Sequence, residues 1–227
     1  MVPEAGCPFD KKEQLNKIFV YKLKTDNGGA PCIFRNMLSL AICKPKIRKI
    51  AEDADIIFGF GGKHYGEHLI YIAVVKERTK IGDYYRNHKF ALRPDCIYRD
   101  KQGIPKLKAN ARYHTQSDER EHDVGLHFER SYVLLSKDFR YFGRAGTDSY
   151  KKDSPRVKAI VEHFGRNHRS KFTKGEISAL LALKKAIWRR FRRKQNGPPT
   201  DRDTTRPCNR DALVRYGSCD ELAVKIH

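Results

Sequence analysis

The sequence predicts an α+β fold, and three observations lead to that prediction. Short hydrophobic runs bounded by turn residues, such as those at 18–23 and 69–75, are typical of strands. Two capped, amphipathic segments later in the chain are typical of helices. At 227 residues the chain can form one domain with extensions. We therefore predict an amino-terminal arm at 1–16, a domain at 17–195 and a polar carboxyl-terminal tail at 196–227.

The densest pattern runs from residue 39 to residue 75. Asp55 to Phe60 is typical of a buried strand, and it ends in Gly61-Gly62, where no side chain blocks a ligand or another backbone. A second strand follows over 69–75. These strands and the basic segment after Cys43 either converge on a ligand or form a β-hairpin with an ordinary glycine turn.

Start signals and spacing predict four helices. Pro45 suits the first position of a short helix, and apolar spacing over 81–85 predicts a second. Capping residues predict two longer helices, over 154–167 and 173–191. The polar stretch 97–125 has no clean period, so we predict a long loop with one possible hairpin.

Composition favours a polyanionic partner. Lys and Arg number 47 against 27 Asp and Glu, which gives a formal net charge of +20 and a pI near 9.8. Cations release counterions from a phosphate backbone, so nucleic acid is the predicted partner and acidic lipid its competitor. No run approaches the roughly 20 apolar residues of a membrane span, and the start lacks the apolar segment of a signal peptide. We expect no membrane contact and a cytoplasmic protein.

The sequence predicts no metal and no cofactor. Six cysteines are spread without a CxxC pair, which in the cytoplasm favours reduced thiols. Zinc could be bound by Cys96 with His64 or His68, but no ligand spacing calls for it. Walker, dinucleotide-binding and zinc-deaminase signatures are all missing from the sequence.

Three phrases carry a family resemblance: AICKPKIRKIAEDADIIFGFGG, LIYIAVVKERTKIGDYYRNHKF and SYVLLSKDFRYFGRAG. They resemble the second type of nucleotide-modification-associated domain, over roughly residues 19–188. That family is found in bacteria and phages and is linked to modified DNA bases. The resemblance therefore implies DNA in preference to RNA, and a DNA modification or defence system. The order of elements also resembles the EVE-like branch of the PUA-like fold, which implies a bent β-barrel with flanking helices.

Similarity to EVE-like and YTH-like pockets implies a base pocket with cations beside it. The implied base pocket comprises Ser39, Ala41, Cys43, Phe60, Gly61, Gly62, Tyr65 and Tyr141. The implied phosphate ligands are Lys44, Lys46, Arg48 and Arg144. Independently of any resemblance, KKAIWRRFRRKQ carries seven cations and no acid, which suits a phosphate track. From that run we predict Lys185, Arg189, Arg192 and Arg193 as phosphate ligands.

The predicted function is nucleic-acid binding with recognition of a modified nucleobase. One alternative is an enzyme that acts on a nucleotide or base in the same pocket. Another is an RNA-binding module of the PUA type, and a third is a basic scaffold without a pocket function.

Catalysis stays open because no catalytic constellation is evident. Asp53 and Asp55 form the only tight carboxylate pair at a predicted strand, and Asp55 is expected to turn the chain into its strand. Three histidines, His114, His122 and His127, could serve as bases for Cys43 or Ser39 as nucleophile. Nothing in the sequence brings these groups together.

Overall fold

The computed structural model describes residues 16–201, except 116 and 166. It confirms the α+β prediction. The strands are β1 (Ile18–Leu23), β2 (Cys32–Phe34), β3 (Met37–Leu40), β4 (Ile56–Gly61), β5 (Leu69–Val74), β6 (Glu77–Arg78), β7 (Tyr98–Lys101), β8 (Ile104–Leu107), β9 (Leu134–Ser136), β10 (Asp138–Tyr141) and β11 (His168–Arg169). The helices are α1 (Pro45–Ile50), α2 (Asp83–Arg86), α3 (Ser117–Val124), α4 (Tyr150–Asp153), α5 (Pro155–His163) and α6 (Lys174–Arg190).

A five-stranded mixed sheet in the order β10-β5-β4-β1-β11 is the centre of the fold. β1 and β4 run parallel, whereas the other neighbours are antiparallel. Every residue of β4 is buried, which agrees with its continuous apolar run. β4 and β5 form an antiparallel hairpin, so the hairpin alternative for residues 55–75 is confirmed.

A second sheet, β2-β3-β9-β6, lies beside the first, and β7 and β8 pair as a separate hairpin. In the described part of the chain these sheets do not close, so the expected barrel is corrected to an open arrangement. The central sheet ends at β11, which pairs through only two residues. Its other edge, β10, is bonded to residues 194–196 instead of a further strand, because Tyr141 exchanges main-chain hydrogen bonds with Lys194 and Asn196.

The two long helices begin where their caps predict. Ser154 accepts a hydrogen bond from the Val157 N–H at the start of α5, and Thr173 with Glu176 forms a capping box at the start of α6. Both helices pack on one face of the central sheet in a single apolar cluster. The opposite face packs against the second sheet and α1.

Four sequence-based boundaries need correction or lie outside the described residues. Within 97–125 the possible hairpin is present as β7 and β8, but the rest is not all loop, since it contains α3. The helix predicted over 154–167 ends at His163. The predicted arm is described only at residue 16, and of the predicted tail only 196–201 are described.

We call residues 195–201 the strap, because they run along β10 and reach Asp26. No helix in the described ranges is long and apolar enough to cross a membrane.

Candidate functional site: a cysteine, histidine and aspartate triad

Cys43 lies in the connection between β3 and α1, where the backbone takes an unusual path. Cys43 and Lys44 have φ angles of 57° and 47°, so two consecutive residues adopt the left-handed conformation. Pro45 then begins α1, consistent with its preference for the first helical position. Non-glycine residues in this conformation often mark functional sites. The side chain of Cys43 is partly exposed.

His114 reaches Cys43 from the connection between β8 and α3. Its Nε2 lies 3.3 Å from the Cys43 Sγ, and the side chain is 4% exposed. The other ring nitrogen, Nδ1, is hydrogen-bonded to Oδ2 of Asp123. A carboxylate on Nδ1 fixes the ring so that Nε2 faces the sulphur.

Asp123 is the third member of the triad and comes from the last turn of α3. It is fully buried, and its Oδ1 accepts a hydrogen bond from the Cys43 N–H at 2.7 Å. One carboxylate therefore holds both the imidazole of His114 and the main chain of Cys43. We refer to Cys43, His114 and Asp123 as the triad.

Arg48 ties the segments of the triad together. Its Nε donates to the Cys43 carbonyl oxygen, and Nη2 donates to the Asp123 carbonyl oxygen, both at 2.7 Å. Nη1 donates to the Tyr132 carbonyl oxygen at 2.7 Å. The guanidinium is fully buried and lies 3.8 Å from Oδ1 of Asp123. Arg48 therefore bonds main-chain groups and Asp123 where a phosphate contact was predicted, and its fork geometry suits that task.

The electrostatics favour an ion pair between Cys43 and His114. Burial alone would lower the pKa of His114, but the charge of the Cys43 thiolate and hydrogen bonds with Asp123 and Cys43 raise it to about 11. An imidazolium beside a cysteine stabilises the thiolate, which is the nucleophilic form. The triad thus has the groups and contacts of a nucleophile, a general acid–base and an orienting carboxylate.

One buried hydroxyl beside the triad has no partner. Within the described residues, Tyr98 Oη accepts and donates no hydrogen bond, although Tyr98 is fully buried. Burial raises the pKa of Tyr98, and the charges of Asp123 and Glu119 raise it further. Such an orphan group in a native fold calls for an explanation.

A second polar cluster joins the strap to the triad. Oδ2 of Asp26 accepts hydrogen bonds from the N–H and the hydroxyl of Thr200, each at 3.0 Å. Three residues after Asp26, the ring of Tyr113 packs so closely on Gly29 that a Cβ there would lie 2.9 Å from the ring. Because Tyr113 precedes His114, the loop at 26–29 connects the strap with the triad.

Of the implied base pocket, Tyr65 and Tyr141 come together because both hydrogen-bond Asp26, and Gly61 lies against Tyr65. Of the pocket's members only Cys43 belongs to the triad. Ser39 is fully buried and donates to Asp95 in a network that includes Arg93. The others are placed as follows: Ala41 and Phe60 are buried in separate apolar clusters, Gly61 is buried in β4, Gly62 donates to the Leu23 carbonyl oxygen, Tyr65 bonds Asp201, and Tyr141 is buried and donates to Asp26.

The implied phosphate ligands occupy three places. Lys46 is exposed at the start of α1, near the triad, and Lys44 holds its Nζ 4.9 Å from the centre of the Tyr21 ring. Arg144 is exposed and donates to the Thr200 carbonyl oxygen at 3.3 Å. The remaining four cations, Lys185, Arg189, Arg192 and Arg193, are exposed in or just after the end of α6.

Of the three triad residues, the sequence indicated Cys43 and His114 as candidates but did not indicate that they meet. Asp123 was not among the predicted residues. The only signal was a histidine and an aspartate nine positions apart in a polar stretch, which is too common to be informative. Asp55 does turn the chain into β4, since it accepts hydrogen bonds from the main-chain N–H groups of Lys17 and Glu52. Within the described residues, no group of three or more His, Cys, Asp or Glu side chains could hold a metal ion.

Comparison with known proteins identifies a family. The family described as nucleotide modification associated domain 2 matches residues 15–206, which is most of the chain. No curated protein and no solved structure matches the chain significantly. The family description indicates involvement in nucleotide modification. The chain therefore belongs to the nucleotide modification associated domain 2 family, as the resemblance of its three phrases implied.

Proposed function

We propose that this protein is a thiol-dependent enzyme of nucleotide modification, with Cys43 as its nucleophile. The observation that carries the proposal is the triad, in which the Cys43 Sγ lies 3.3 Å from a ring nitrogen that a buried carboxylate orients. A merely structural cysteine is usually buried and inert, whereas Cys43 is partly exposed and faces His114, whose pKa is raised to about 11. In the cytoplasmic setting that we propose, such a thiol stays reduced.

The reaction class that fits the triad is transfer of an acyl group. The Cys43 thiolate attacks a carbonyl carbon, and the new S–C bond forms as the carbonyl electrons move to oxygen. The electron pair on oxygen then re-forms the carbonyl, and the leaving group departs with its bonding pair and takes the proton from His114 Nε2. An amine or water then attacks the thioester and gives its proton back to His114, and the C–S bond breaks to restore the thiolate.

Site-resolved chemistry tests the nucleophile. The full-length protein is treated with limiting iodoacetamide at pH 6, and the modified peptides are quantified by mass spectrometry. The Cys43 peptide should react at least about tenfold faster than the Cys96 peptide, because burial raises the pKa of Cys96. His114→Gln should slow the reaction of Cys43 and leave that of Cys96 unchanged, so the difference between them should shrink. Equal rates for both cysteines in the wild-type protein would refute the proposal.

A second candidate function is the predicted binding of nucleic acid with recognition of a modified base. The observation that favours it is the end of α6, where Arg189, Arg190, Arg192 and Arg193 are exposed and no acid lies between residues 177 and 200. Trp188 lies between two further cations, with Arg140 4.7 Å and Lys184 4.6 Å from its ring. The predicted resemblance to EVE-like, PUA-type domains agrees with this function, because relatives of those domains bind modified or flipped nucleobases.

Fluorescence anisotropy over a salt series tests this second function. Plain DNA, DNA with modified cytosine or uracil, and matched RNA are compared. Each phosphate contact contributes about 0.9 to the slope of log affinity against log salt. Replacing Lys185, Arg189 and Arg193 by Gln should therefore lower the slope by up to about 3. The charge-matched control replaces Arg99, Lys101 and Lys106 of the β7–β8 hairpin, where little change is expected. An equal decrease of the slope in both variants would mean that binding depends on the total charge of the protein and not on the end of α6. Tighter binding of RNA than of DNA would favour the RNA-binding module of the PUA type.

A further inference from the structure

Two tyrosines of the central sheet lie hydroxyl to hydroxyl on the face that packs against the second sheet and α1. Tyr21 of β1 and Tyr71 of β5 occupy one row across the sheet, and Gly59 of β4 lies between them in register. Because Gly59 has no Cβ, the Tyr71 ring lies over it, and a Cβ there would be 2.2 Å from a ring carbon of Tyr71. The two hydroxyl oxygens are 2.8 Å apart.

This pair of tyrosines has one more O–H donor than its shared hydrogen bond uses. Each tyrosine hydroxyl carries one proton, and the pair shares one hydrogen bond. No other described group accepts from either hydroxyl, and both side chains are buried. One O–H is therefore left without an acceptor, and a buried polar group without a partner is costly unless a ligand or water completes it.

Tyr21 lies beside the residue that follows the nucleophile. The Nζ of Lys44, the residue that follows Cys43, lies 4.9 Å from the centre of its ring. Burial raises the pKa of Tyr21 well above its ordinary value, and the charges of Tyr71, Cys43 and Asp26 raise it further. Tyr21 therefore stays protonated at neutral pH and can act as a donor.

We propose that the Tyr21 hydroxyl donates a hydrogen bond to the substrate oxygen that becomes negative when Cys43 attacks, while Tyr71 donates to Tyr21 and holds it in place. This inference rests on the proposed thiol mechanism and adds a catalytic residue to it. In enzymes with a cysteine nucleophile, the main-chain N–H of that cysteine commonly donates a hydrogen bond to the oxyanion. Here the Cys43 N–H is already bonded to Asp123, so the site needs another donor. A preorganised donor of this kind contributes about 10²- to 10³-fold to the rate.

Two reactions of the same sulphur test the proposal. Acylation by p-nitrophenyl acetate passes through an oxyanion, whereas alkylation by iodoacetamide does not. Both rates are measured at Cys43 in the full-length protein, by p-nitrophenolate release and by peptide mass spectrometry. Tyr21→Phe should slow acylation about 10²- to 10³-fold and change alkylation less than twofold. Tyr71→Phe keeps the Tyr21 donor and should slow acylation less than tenfold.

The control is Tyr150→Phe, since Tyr150 is equally buried and donates one hydrogen bond to the Glu67 carbonyl oxygen in the other core cluster. It should leave both rates unchanged. The ratio of acylation to alkylation within one protein sample is insensitive to partial misfolding. Acylation in Tyr21→Phe at the Tyr150→Phe rate, or an equal loss of both reactions, overturns the role of Tyr21. If the wild-type Cys43 reacts no faster than Cys96 in either reaction, the thiol mechanism itself is refuted.

Discussion

Replacing Asp123 by Asn should disconnect the triad while keeping its shape. An amide at this position can still accept the hydrogen bond that the Cys43 N–H now gives to Oδ1 at 2.7 Å. The negative charge that faces His114 Nδ1, and that lies 3.8 Å from the Arg48 guanidinium, disappears. Breaking a buried ion pair by removal of one partner costs about 3 to 5 kcal/mol, because the remaining charge stays buried. We expect a loss near the lower end of that range in the free energy of unfolding.

The same change should move the pH dependence of Cys43. An unassisted thiol, with a pKa of about 8.5, is only about 0.1% ionised at pH 5.5. Part of that loss is offset because a more basic thiolate is a better nucleophile, with a Brønsted slope of about 0.4 to 0.5. Alkylation of Cys43 in Asp123→Asn should therefore be at least about tenfold slower than wild type at pH 5.5, and should approach the wild-type rate near pH 9.

Urea unfolding and a pH series of site-resolved alkylation measure the two effects on one protein preparation. Asp53→Asn is the matched control, because Asp53 is exposed and outside the triad. A flat wild-type profile that Asp123→Asn preserves would show that the carboxylate does not act through His114. Loss of stability without any change in the profile would assign Asp123 to the fold alone.

Three other positions respond to pH or substitution in a defined direction. Folding raises the pKa of His114 from about 6.5 to about 11, so its contribution to stability is complete below about pH 6.5 and is lost as the pH rises towards 11. Urea unfolding at pH 7 and pH 10 should show this loss in the wild type and a smaller one in His114→Gln. Tyr98→Phe removes a hydroxyl with no partner among the described residues, so the free energy of unfolding should stay unchanged or rise by up to about 1 kcal/mol; a loss above 1 kcal/mol would contradict this. Gly59→Ala places a Cβ 2.2 Å from the Tyr71 ring and should cost about 1 to 3 kcal/mol, whereas Gly165→Ala, which meets open space, should cost nothing.

Much of the fold follows from local patterns. The starts of α5 and α6 were predictable because their caps bond within three residues. The strands over 56–61 and 69–74 follow from continuous apolar runs. By contrast, α3 consists almost entirely of polar residues and carries no apolar stripe, so it resembled a loop. Its buried side chains include Glu119, Asp123 and Val124, and a buried carboxylate cannot be told from an exposed one in a sequence.

The triad was out of reach for a different reason. Cys43 and His114 are 71 positions apart, and Cys43 and Asp123 are 80 apart. Their encounter depends on how α3 docks on the β3–α1 connection, and Arg48 fixes that docking through carbonyl oxygens. Every residue has a main-chain carbonyl oxygen, so the sequence does not indicate which of them accept these hydrogen bonds. The same limit explains why Arg48 was assigned to phosphate.

The strap makes completion of the site depend on residues that are synthesised well after the triad. Thr200 clamps Asp26 across 174 positions of the chain, and the loop beyond Asp26 supports the residue next to His114. On a translating ribosome, Cys43 and His114 emerge long before the strap that finishes their surroundings. A chain that stops or is cut before residue 200 would carry the reactive thiol without this clamp. Completion of the site is thus tied to translation past residue 200, and a chain that ends earlier carries a thiol whose surroundings are unfinished.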